Sequence, residues 1–311
     1  MPTADSAEAR ECCLLRAREY LFERLFGEMP QFDILGITLT MQHCDLLAGF
    51  DSFRFAGSGP TEFCIYTTGQ GPAVLLLHEL PGMTPSCIGF AQDIAAAGFT
   101  VFLPLLFGRP GQNLGELSVI TLCVRREFTL LATGTRGPLT DWLRELCAHV
   151  HALRGGPGIG LIGMCLTGGM VFALCASPAV LAAVTSQPSL PISLFRGAKY
   201  RSDLGTAPDD LEAAKTRVAA NGIDILAFRY SSDYGCPAER FERAKREFGE
   251  HFKPTTYPTP DRKHRLPFWS HSVLTETYRR DQPESHPAHR ARRAVIAYLR
   301  ERLLGECVRA D

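Results

Sequence analysis

The stretch Gly158-Ile-Gly-Leu-Ile-Gly163-Met-Cys165-Leu-Thr-Gly168-Gly169 joins an apolar run to a turn of small residues. Ile159 to Met164 is predicted to be a buried strand, and Gly168 to Cys175 a helix. A cysteine between glycines at such a junction is typical of a nucleophile elbow, a sharp turn that projects a reactive side chain from the strand's carboxyl end. Backbone N–H groups and the positive end of the helix favour a thiolate there.

Two other interpretations of this stretch stay open. Cys165 could simply pack at a strand-to-helix junction, or the glycines could cradle the phosphates of a dinucleotide. The dinucleotide interpretation is disfavoured, because Gly158 and Gly160 precede the strand core instead of lying in the turn that follows it.

Strands and helices alternate along most of the chain, which predicts an α/β fold with a mostly parallel central sheet and helices on both faces. A hairpin is predicted between the first two strands, because only Gly69 to Gly71 and their neighbours separate them. The predicted strands are Phe63–Thr67, Ala73–His78, Phe99–Leu103, Ile159–Met164, Leu181–Thr185, Asp224–Tyr230 and Phe252–Tyr257. The predicted helices are Pro85–Ala97, Thr140–Leu153, Gly168–Cys175, Asp209–Ala220, Pro237–Phe248 and Ala288–Leu304.

The first 55 residues are predicted to be an extension, with a helix over Ala7 to Leu25, and residues 56–311 a single domain. The segment from Leu105 to Pro138 is longer than an ordinary connection and mixes Gly and Pro with an apolar run. Long connections at the strand ends of an α/β sheet often form lids or substrate walls.

Composition excludes several classes of protein. The 311 residues carry 33 basic and 33 acidic side chains, so no uniform positive field favours nucleic acid. The run Ala73 to Leu77 is far shorter than the roughly 18 to 20 residues of a membrane span. Met1 to Arg10 lacks the features of a secretory signal, so we expect a cytoplasmic protein without a membrane partner.

The eleven cysteines include no paired C-x-x-C motif, and no metal site is predicted.

A nucleophile of this kind needs a base and an acid that orients the base. In folds with a nucleophile elbow both follow the nucleophile in the chain, the acid first and the histidine second. Asp233 follows a predicted strand in Ser231-Ser-Asp233-Tyr-Gly-Cys-Pro237, and His271 lies in Trp269-Ser-His271-Ser-Val-Leu. Each taken alone has a plainer interpretation, a turn or capping aspartate and a surface histidine. Their order behind Cys165 favours a triad. The competing histidines are His264, His286 and His289.

A hydrolase also needs an oxyanion hole. The segment His78-Glu79-Leu80-Pro81-Gly82 is predicted to be a loop that follows a strand. This loop would present its backbone N–H groups toward the elbow. We predict that the amides of Leu80 and Leu166 form the hole. A zinc motif beginning at His78-Glu79 is disfavoured, because no second histidine follows at helical spacing.

Taken together, these residues resemble the dienelactone hydrolase family of α/β hydrolases, over roughly Phe63 to Leu304. The resemblance implies that Cys165, Asp233 and His271 form the triad. It also implies that Glu79 holds the thiol in the resting enzyme and helps to ionise it when substrate binds.

Two positions depart from the family pattern. Thr167 stands where the best-known members carry glycine, and Thr275 stands where they carry an arginine that grips the substrate carboxylate. Arg125 and Arg126 are therefore candidate replacement cations, and Ser272 is a further candidate for substrate binding.

A thiol of pKa about 8.5 leaves a tetrahedral intermediate more readily than an alkoxide does, so a cysteine nucleophile favours activated esters and lactones. We expect a small-molecule ester or lactone substrate, no cofactor, and a monomer or homodimer. Two alternatives remain. One is another activity of the same fold, such as carboxylesterase, thioesterase or acyltransferase, and the other is a non-catalytic binding or redox-sensing protein.

Overall fold

The computed structural model describes residues 46–59, 62–113, 137–189 and 200–306, which belong to one compact unit, Leu46–Asp311. The predicted helix over Ala7 to Leu25 and the candidate cations Arg125 and Arg126 lie outside the described residues.

The described residues form an eight-stranded sheet. The strands are β1 (Asp51–Phe55), β2 (Phe63–Gly69), β3 (Ala73–Leu77), β4 (Thr100–Pro104), β5 (Ile159–Met164), β6 (Val180–Ser186), β7 (Ile225–Tyr230) and β8 (Phe252–Tyr257). Their order in the sheet is β1-β2-β4-β3-β5-β6-β7-β8. Every neighbouring pair from β4 to β8 along this order is parallel, whereas β1 pairs antiparallel with β2, and β2 with β4. The mostly parallel α/β sheet predicted from the alternation is confirmed.

The predicted hairpin between β2 and β3 is wrong. β4 lies between them and pairs with both. The glycines of the connection allow its backbone to approach the start of β4 closely. They do not form a tight hairpin turn. Gly69 and Gly71 have φ of +85° and +111°, and a β-carbon on them would lie 2.2 Å from the Phe99 carbonyl and 2.1 Å from the Gly98 carbonyl.

Strand β1 was not predicted, and it lies before the predicted domain start at residue 56. It is an edge strand whose side chains are mostly exposed. Its sequence therefore contains no continuous apolar run that would predict a strand. The central strands β3, β4 and β5 are buried at every position, as expected for strands covered on both faces.

Helices cover both faces of the sheet, as predicted. The helices are α1 (Pro85–Ala96), α2 (Pro138–Arg154), α3 (Met170–Leu174), α4 (Pro208–Asn221), α5 (Ala238–Phe248) and α6 (Pro287–Leu304). Residues of α2, α3, α4 and α5 share one apolar core with one face of the sheet. Residues of α1 and α6 share a second core with the other face. Several begin with Pro in the first turn, where no backbone N–H donor is lost.

The carboxyl ends of parallel strands meet at one edge of the sheet, where ligands bind in open α/β folds. Loops that follow β3, β5, β6 and β7 begin at this edge with His78, Cys165, Gln187 and Ser231. Within the described part of the chain, no helix is both long enough and apolar enough to cross a membrane.

Candidate active site

Cys165 lies at a strained turn directly after β5. Its φ is +50°, a left-handed conformation that is uncommon for a residue with a side chain, and a short 3-10 helix (Cys165–Thr167) follows. A β-carbon on Gly163 would lie 2.6 Å from the Thr167 carbonyl, and one on Gly168 would lie 2.9 Å from the Pro188 Cα. The glycines before and after Cys165 are therefore required by sterics, as a nucleophile elbow demands.

The hydroxyl of Thr167 explains why this chain accepts threonine where the resemblance leads us to expect glycine. Its Oγ1 accepts a hydrogen bond from the Met164 amide at 3.0 Å and lies 3.1 Å from the Leu77 carbonyl, within donating distance. The side chain is fully buried. It links the ends of β3 and β5, so it holds the elbow against the loop that contains Glu79.

Asp233 and His271 form a hydrogen-bonded pair. His271 Nδ1 lies 2.8 Å from Asp233 Oδ2, and the second oxygen, Oδ1, accepts hydrogen bonds from the amides of Gly235 at 2.9 Å and Cys236 at 3.2 Å. The Asp233 side chain is 3% exposed and that of His271 is 30% exposed. The loop after β7 thus holds the carboxylate still, and the carboxylate orients the imidazole toward the elbow.

The structure brings three of the predicted residues together. The Cys165 Sγ, a ring nitrogen of His271 and a carboxylate oxygen of Glu79 all lie within 4.8 Å of one another. Cys165 is only 7% exposed, so the reactive group lies at the bottom of a depression. Sulfur, imidazole and carboxylate could exchange protons here with little movement.

Glu79 is a buried carboxylate surrounded by donors. Its Oε2 accepts hydrogen bonds from Ser272 Oγ at 2.8 Å and from Gln187 Nε2 at 3.0 Å, and its Oε1 accepts from Thr275 Oγ1. Burial raises the pKa of Glu79, and the nearby His271 and the hydroxyls oppose the rise only in part. A carboxyl group with a raised pKa beside a thiol is suited to take up the thiol proton.

The imidazole of His271 is a strong base in this setting. Burial lowers its pKa, but the Cys165 sulfur and the Asp233 carboxylate outweigh burial and raise the pKa of His271 well above its ordinary value. When Cys165 is a thiolate, His271 is therefore protonated and can act as a general acid.

Cysteine, histidine and glutamate are also zinc-ligand types. In the part of the chain that the structure describes, Glu79 already accepts three protein hydrogen bonds, and His271 already uses Nδ1 on Asp233. These partners suit a proton-transfer site at least as well as a metal centre. The absence of a metal remains a prediction.

The two predicted oxyanion-hole amides are available. Within the described residues, neither the Leu80 nor the Leu166 amide donates a hydrogen bond. The loop of Leu80 is held by the buried ring of His78, whose Nε2 accepts the Leu106 amide at 3.1 Å and whose Nδ1 donates to the Glu79 carbonyl at 3.2 Å. Free amides beside a nucleophile are what an oxyanion hole needs.

Ser272 borders the cluster: it is buried and donates to Glu79, and its contact with substrate stays a prediction. The competing histidines do not take part in the cluster: His264 lies 2.6 Å from Asp261, His286 caps α6, and His289 lies 2.8 Å from the Arg279 carbonyl.

Two residues of the site were missed. Gln187 is fully buried with φ of +34° and bridges Glu79 to the Val273 amide, which it accepts at 3.2 Å. Ser189 places its Oγ 3.5 Å from His271 Nε2, while its amide donates to the Cys165 carbonyl at 2.9 Å. The one signal that could have found them is their position directly after β6, at the edge where the other site residues cluster.

Comparisons with known proteins give a family match for part of the chain and relatives of its fold. The model of the dienelactone hydrolase family matches residues 63–200. No curated protein matches the sequence.

Solved structures share the fold at low sequence identity. A proposed dienelactone hydrolase from Klebsiella pneumoniae subsp. pneumoniae MGH 78578 is 16% identical, with a TM-score of 0.55, over 80% of this chain and 97% of that one. A dienelactone hydrolase-like promiscuous phosphotriesterase, P91 from metagenomic libraries, is 14% identical with a TM-score of 0.56, over 82% of this chain and 99% of that one. Residues 63–200 thus resemble the dienelactone hydrolase family, and the chain shares the fold of these two solved structures.

Proposed function

We propose that the chain hydrolyses activated carboxylic esters or lactones through a Cys165-His271-Asp233 triad. The observation that carries the proposal is the cluster of Cys165, His271 and Glu79 within 4.8 Å, with Asp233 hydrogen-bonded to the far side of the imidazole. Nucleophile, orienting acid and base follow one another in the chain order of α/β hydrolases.

Acylation follows from these contacts. The Cys165 thiolate attacks the carbonyl carbon, and the amides of Leu80 and Leu166 stabilise the oxyanion of the tetrahedral intermediate. The intermediate then collapses, the C–O bond to the alcohol breaks, and His271 gives its proton to the leaving oxygen. A thioester between Cys165 and the acyl group results.

Deacylation reverses the role of His271. The imidazole, now neutral, takes a proton from water, and the hydroxide attacks the thioester carbonyl. The acid departs and the sulfur leaves as a thiolate beside the imidazolium. Because both steps use the same imidazole, Asp233 has to hold it in one orientation throughout.

Glu79 has a separate role, to hold the Cys165 thiol in the resting enzyme and to help ionise it. Its pKa is raised by burial, so the carboxyl group can take up the proton of the Cys165 thiol when substrate enters. Ser272, Thr275 and Gln187 would then fix the orientation of the carboxylate. This assignment follows the family resemblance and is supported by the short distances in the cluster.

The substrate class follows from the nucleophile and from Thr275. A thiolate favours enol esters, aryl esters, strained lactones and thioesters, whose leaving groups compete with sulfur. Thr275 stands where the resemblance leads us to expect an arginine. Its hydroxyl donates a hydrogen bond to Glu79, and it has no charge that could bind a substrate carboxylate. We therefore propose an acyl group that is not held by a cation at this position, with Arg125 and Arg126 still candidate contacts from the insertion.

The test compares two cysteines. Cys165→Ala should lower kcat for an aryl ester by at least about 10³-fold, because the variant lacks the thiol that forms the acyl-enzyme. Cys175→Ala is the matched control: that thiol is fully buried, and burial raises its pKa to about 12, so it is inert. Full activity in Cys165→Ala, or equal losses in both variants, would refute the proposal. A substrate panel of esters, thioesters and acyl acceptors then separates hydrolase from thioesterase and acyltransferase activity.

A further inference from the structure

The cluster around the nucleophile also has the composition of a site for a soft metal ion. Cys165, His271 and Glu79 each contribute one ligand atom, a sulfur, a ring nitrogen and a carboxylate oxygen, and these atoms all lie within 4.8 Å of one another. Among the residues that the structure describes, this is the one group of its kind. Thiolate, imidazole and carboxylate are the three ligand types that proteins offer to zinc.

The ligand atoms have to move only a little to surround an ion. In a tetrahedral zinc site with bonds of about 2.0 to 2.3 Å, the ligand atoms lie about 3.3 to 3.6 Å apart. Starting from separations within 4.8 Å, each atom therefore has to move by less than about 1 Å. Part of the His271 ring borders solvent, since its side chain is 30% exposed, and the ring can therefore tilt toward an ion.

Neighbouring side chains already orient two of the three ligands. His271 contacts Asp233 through Nδ1 at 2.8 Å, which leaves Nε2 for a metal. A histidine that binds zinc usually donates its other ring N–H to a carboxylate in this way. Glu79 accepts three side-chain hydrogen bonds, two on Oε2 and one on Oε1. Since a carboxylate has about four acceptor positions, one position on Oε1 remains for a cation.

The sulfur determines which metal ions suit the cluster. Magnesium and calcium prefer oxygen ligands, whereas a thiolate and an imidazole favour zinc. Cys165 and Glu79 are both negative when ionised, so a divalent ion would leave the cluster neutral. Zinc binds deprotonated ligands, and the protons that the cluster carries therefore pass to the buffer when the ion enters.

We propose that Zn²⁺ binds to Cys165, His271 and Glu79 and inhibits the protein reversibly. The ion occupies the sulfur and the ring nitrogen that the proposed acyl transfer uses, so bound zinc and ester turnover exclude one another. The inhibition rests on the proposed function, whereas the binding of the ion rests on the geometry of the cluster alone. The prediction that the reaction itself needs no metal is unchanged, because zinc acts here as an inhibitor.

Equilibrium binding of Zn²⁺ to the full-length protein, measured by competition with a chromophoric chelator, tests the site without reference to activity. We expect wild type to bind one more zinc ion per chain than Cys165→Ala. Glu79→Gln and His271→Ala keep the thiol but lose one ligand each. Both should weaken the binding of this ion by about tenfold or more, because the loss of even an outer-shell partner costs that much.

Cys64→Ala is the matched control for the loss of a thiol. Among the cysteines of the described residues, Cys64 is the one that is not buried, so its thiol is more accessible than that of Cys165. The variant should bind zinc as wild type does. Equal zinc binding by wild type and Cys165→Ala, or an affinity that neither Glu79→Gln nor His271→Ala changes, would overturn the proposed site.

Hydrolysis of an aryl ester by wild type gives the second readout. Zinc should inhibit it, a chelator should restore it, and Mg²⁺ at the same concentration should have no effect. Zinc that binds at the cluster and leaves hydrolysis unchanged or faster would overturn the inhibition. A wild-type protein that binds zinc as expected but hydrolyses no ester would contradict the proposed function and leave the metal site standing.

Discussion

At the scale of single residues, the site depends on how each side chain changes the protonation of its neighbour. Asp233 contributes one carboxylate whose two oxygens do different work: Oδ1 is held by backbone amides and Oδ2 holds His271. The Cys165 sulfur and this carboxylate together overcome the effect of burial on the imidazole. The protonation state of His271 is therefore set by two residues that no local sequence pattern connects.

Replacing Asp233 by Asn should change the pH dependence of the reaction. The variant removes one of the groups that raise the pKa of His271, so the imidazolium should lose its proton at a lower pH. The alkaline limb of kcat/KM for phenyl acetate, whose phenol of pKa about 10 needs protonation, should move to lower pH. The maximal rate should fall by about 10² to 10⁴-fold.

The pH–rate profile of the purified variant checks this prediction. Asp209→Asn, a change at an exposed position in the first turn of α4, serves as the control and should keep the wild-type profile. An Asp233→Asn profile with an unshifted alkaline limb would mean that the carboxylate does not set the protonation of His271.

Residue by residue, the sequence predicted the members of the site better than their partners. Cys165, Asp233 and His271 were chosen because nucleophile, acid and base have fixed types and order. Glu79 was chosen because of the family resemblance. Gln187 was missed because a buried glutamine that bridges a carboxylate and an amide leaves no periodic signal. The hydrogen bond from Ser272 to Glu79 was not predicted either, because it joins residues 193 positions apart in the chain.

At the scale of elements, the elbow is a rigid unit made by glycine sterics and one threonine. Thr167 ties the 3-10 turn to β5 and β3, and Gly163 and Gly168 leave room for that approach. The left-handed φ of Cys165 persists because these contacts leave the turn no alternative.

Gly163→Ala should therefore damage the elbow. The added β-carbon would lie 2.6 Å from the Thr167 carbonyl and from Val171 Cγ2, so backbone has to move. We expect a loss of about 1 to 3 kcal/mol in the free energy of unfolding and a large loss of kcat. Gly89→Ala within α1 is the control, since nothing lies within 4 Å of its β-carbon.

Urea unfolding and ester hydrolysis of both variants test this. The control should be neutral or more stable by up to about 1 kcal/mol, because alanine favours a helix over glycine. Similar behaviour of the two variants would contradict the steric account of the elbow.

The strands show why the pairing partner of a strand is harder to predict from sequence than the strand itself. The strands from Ala73 onward were placed within one or two residues, because all of them except β8 are short runs of mostly apolar residues with turn residues at their ends. The partner of β2 was not, because the choice between β3 and β4 is made by long-range contacts of Gly69 and Gly71 with the start of β4. Strand β1 was missed because its alternation is short, with only Phe53 and Phe55 half-buried between exposed polar residues.

At the scale of the whole molecule, fold stability and the site share buried polar groups. Arg292 of α6 donates to Asp93 of α1 at 2.6 Å and to the Leu274 carbonyl at 2.7 Å, so it ties two helices to the chain just beyond His271. His78 likewise joins the end of β3 to Leu106. These buried hydrogen bonds therefore hold the loops at the carboxyl edge of the sheet in place.

The buried ring of His78 should make global stability depend on pH. Burial lowers its pKa to about 4, although the hydrogen bond to the Glu79 carbonyl opposes this. The unfolded chain, with a histidine pKa of about 6.5, takes up a proton that the folded state resists, so stability is complete above pH 6.5 and is lost as the pH falls toward 4. Between pH 7 and 4.5 this one group should contribute a loss of about 2 to 3 kcal/mol.

Urea unfolding at the two pH values, in wild type and in His78→Gln, isolates that contribution. The glutamine variant should be less stable at pH 7 and should lose about 2 to 3 kcal/mol less than wild type on acidification. Parallel losses in the two proteins would show that His78 is not the group responsible.

The central claim is that Cys165 becomes acylated during turnover, and intact-protein mass spectrometry with peptide mapping tests it most directly. After rapid acid quenching of a reaction with an aryl ester, we predict one added acyl mass per chain, carried as a thioester by the peptide that contains Cys165 and absent from Cys165→Ala. An acyl group on another residue, or rapid turnover of the ester by Cys165→Ala with no adduct, would contradict the account.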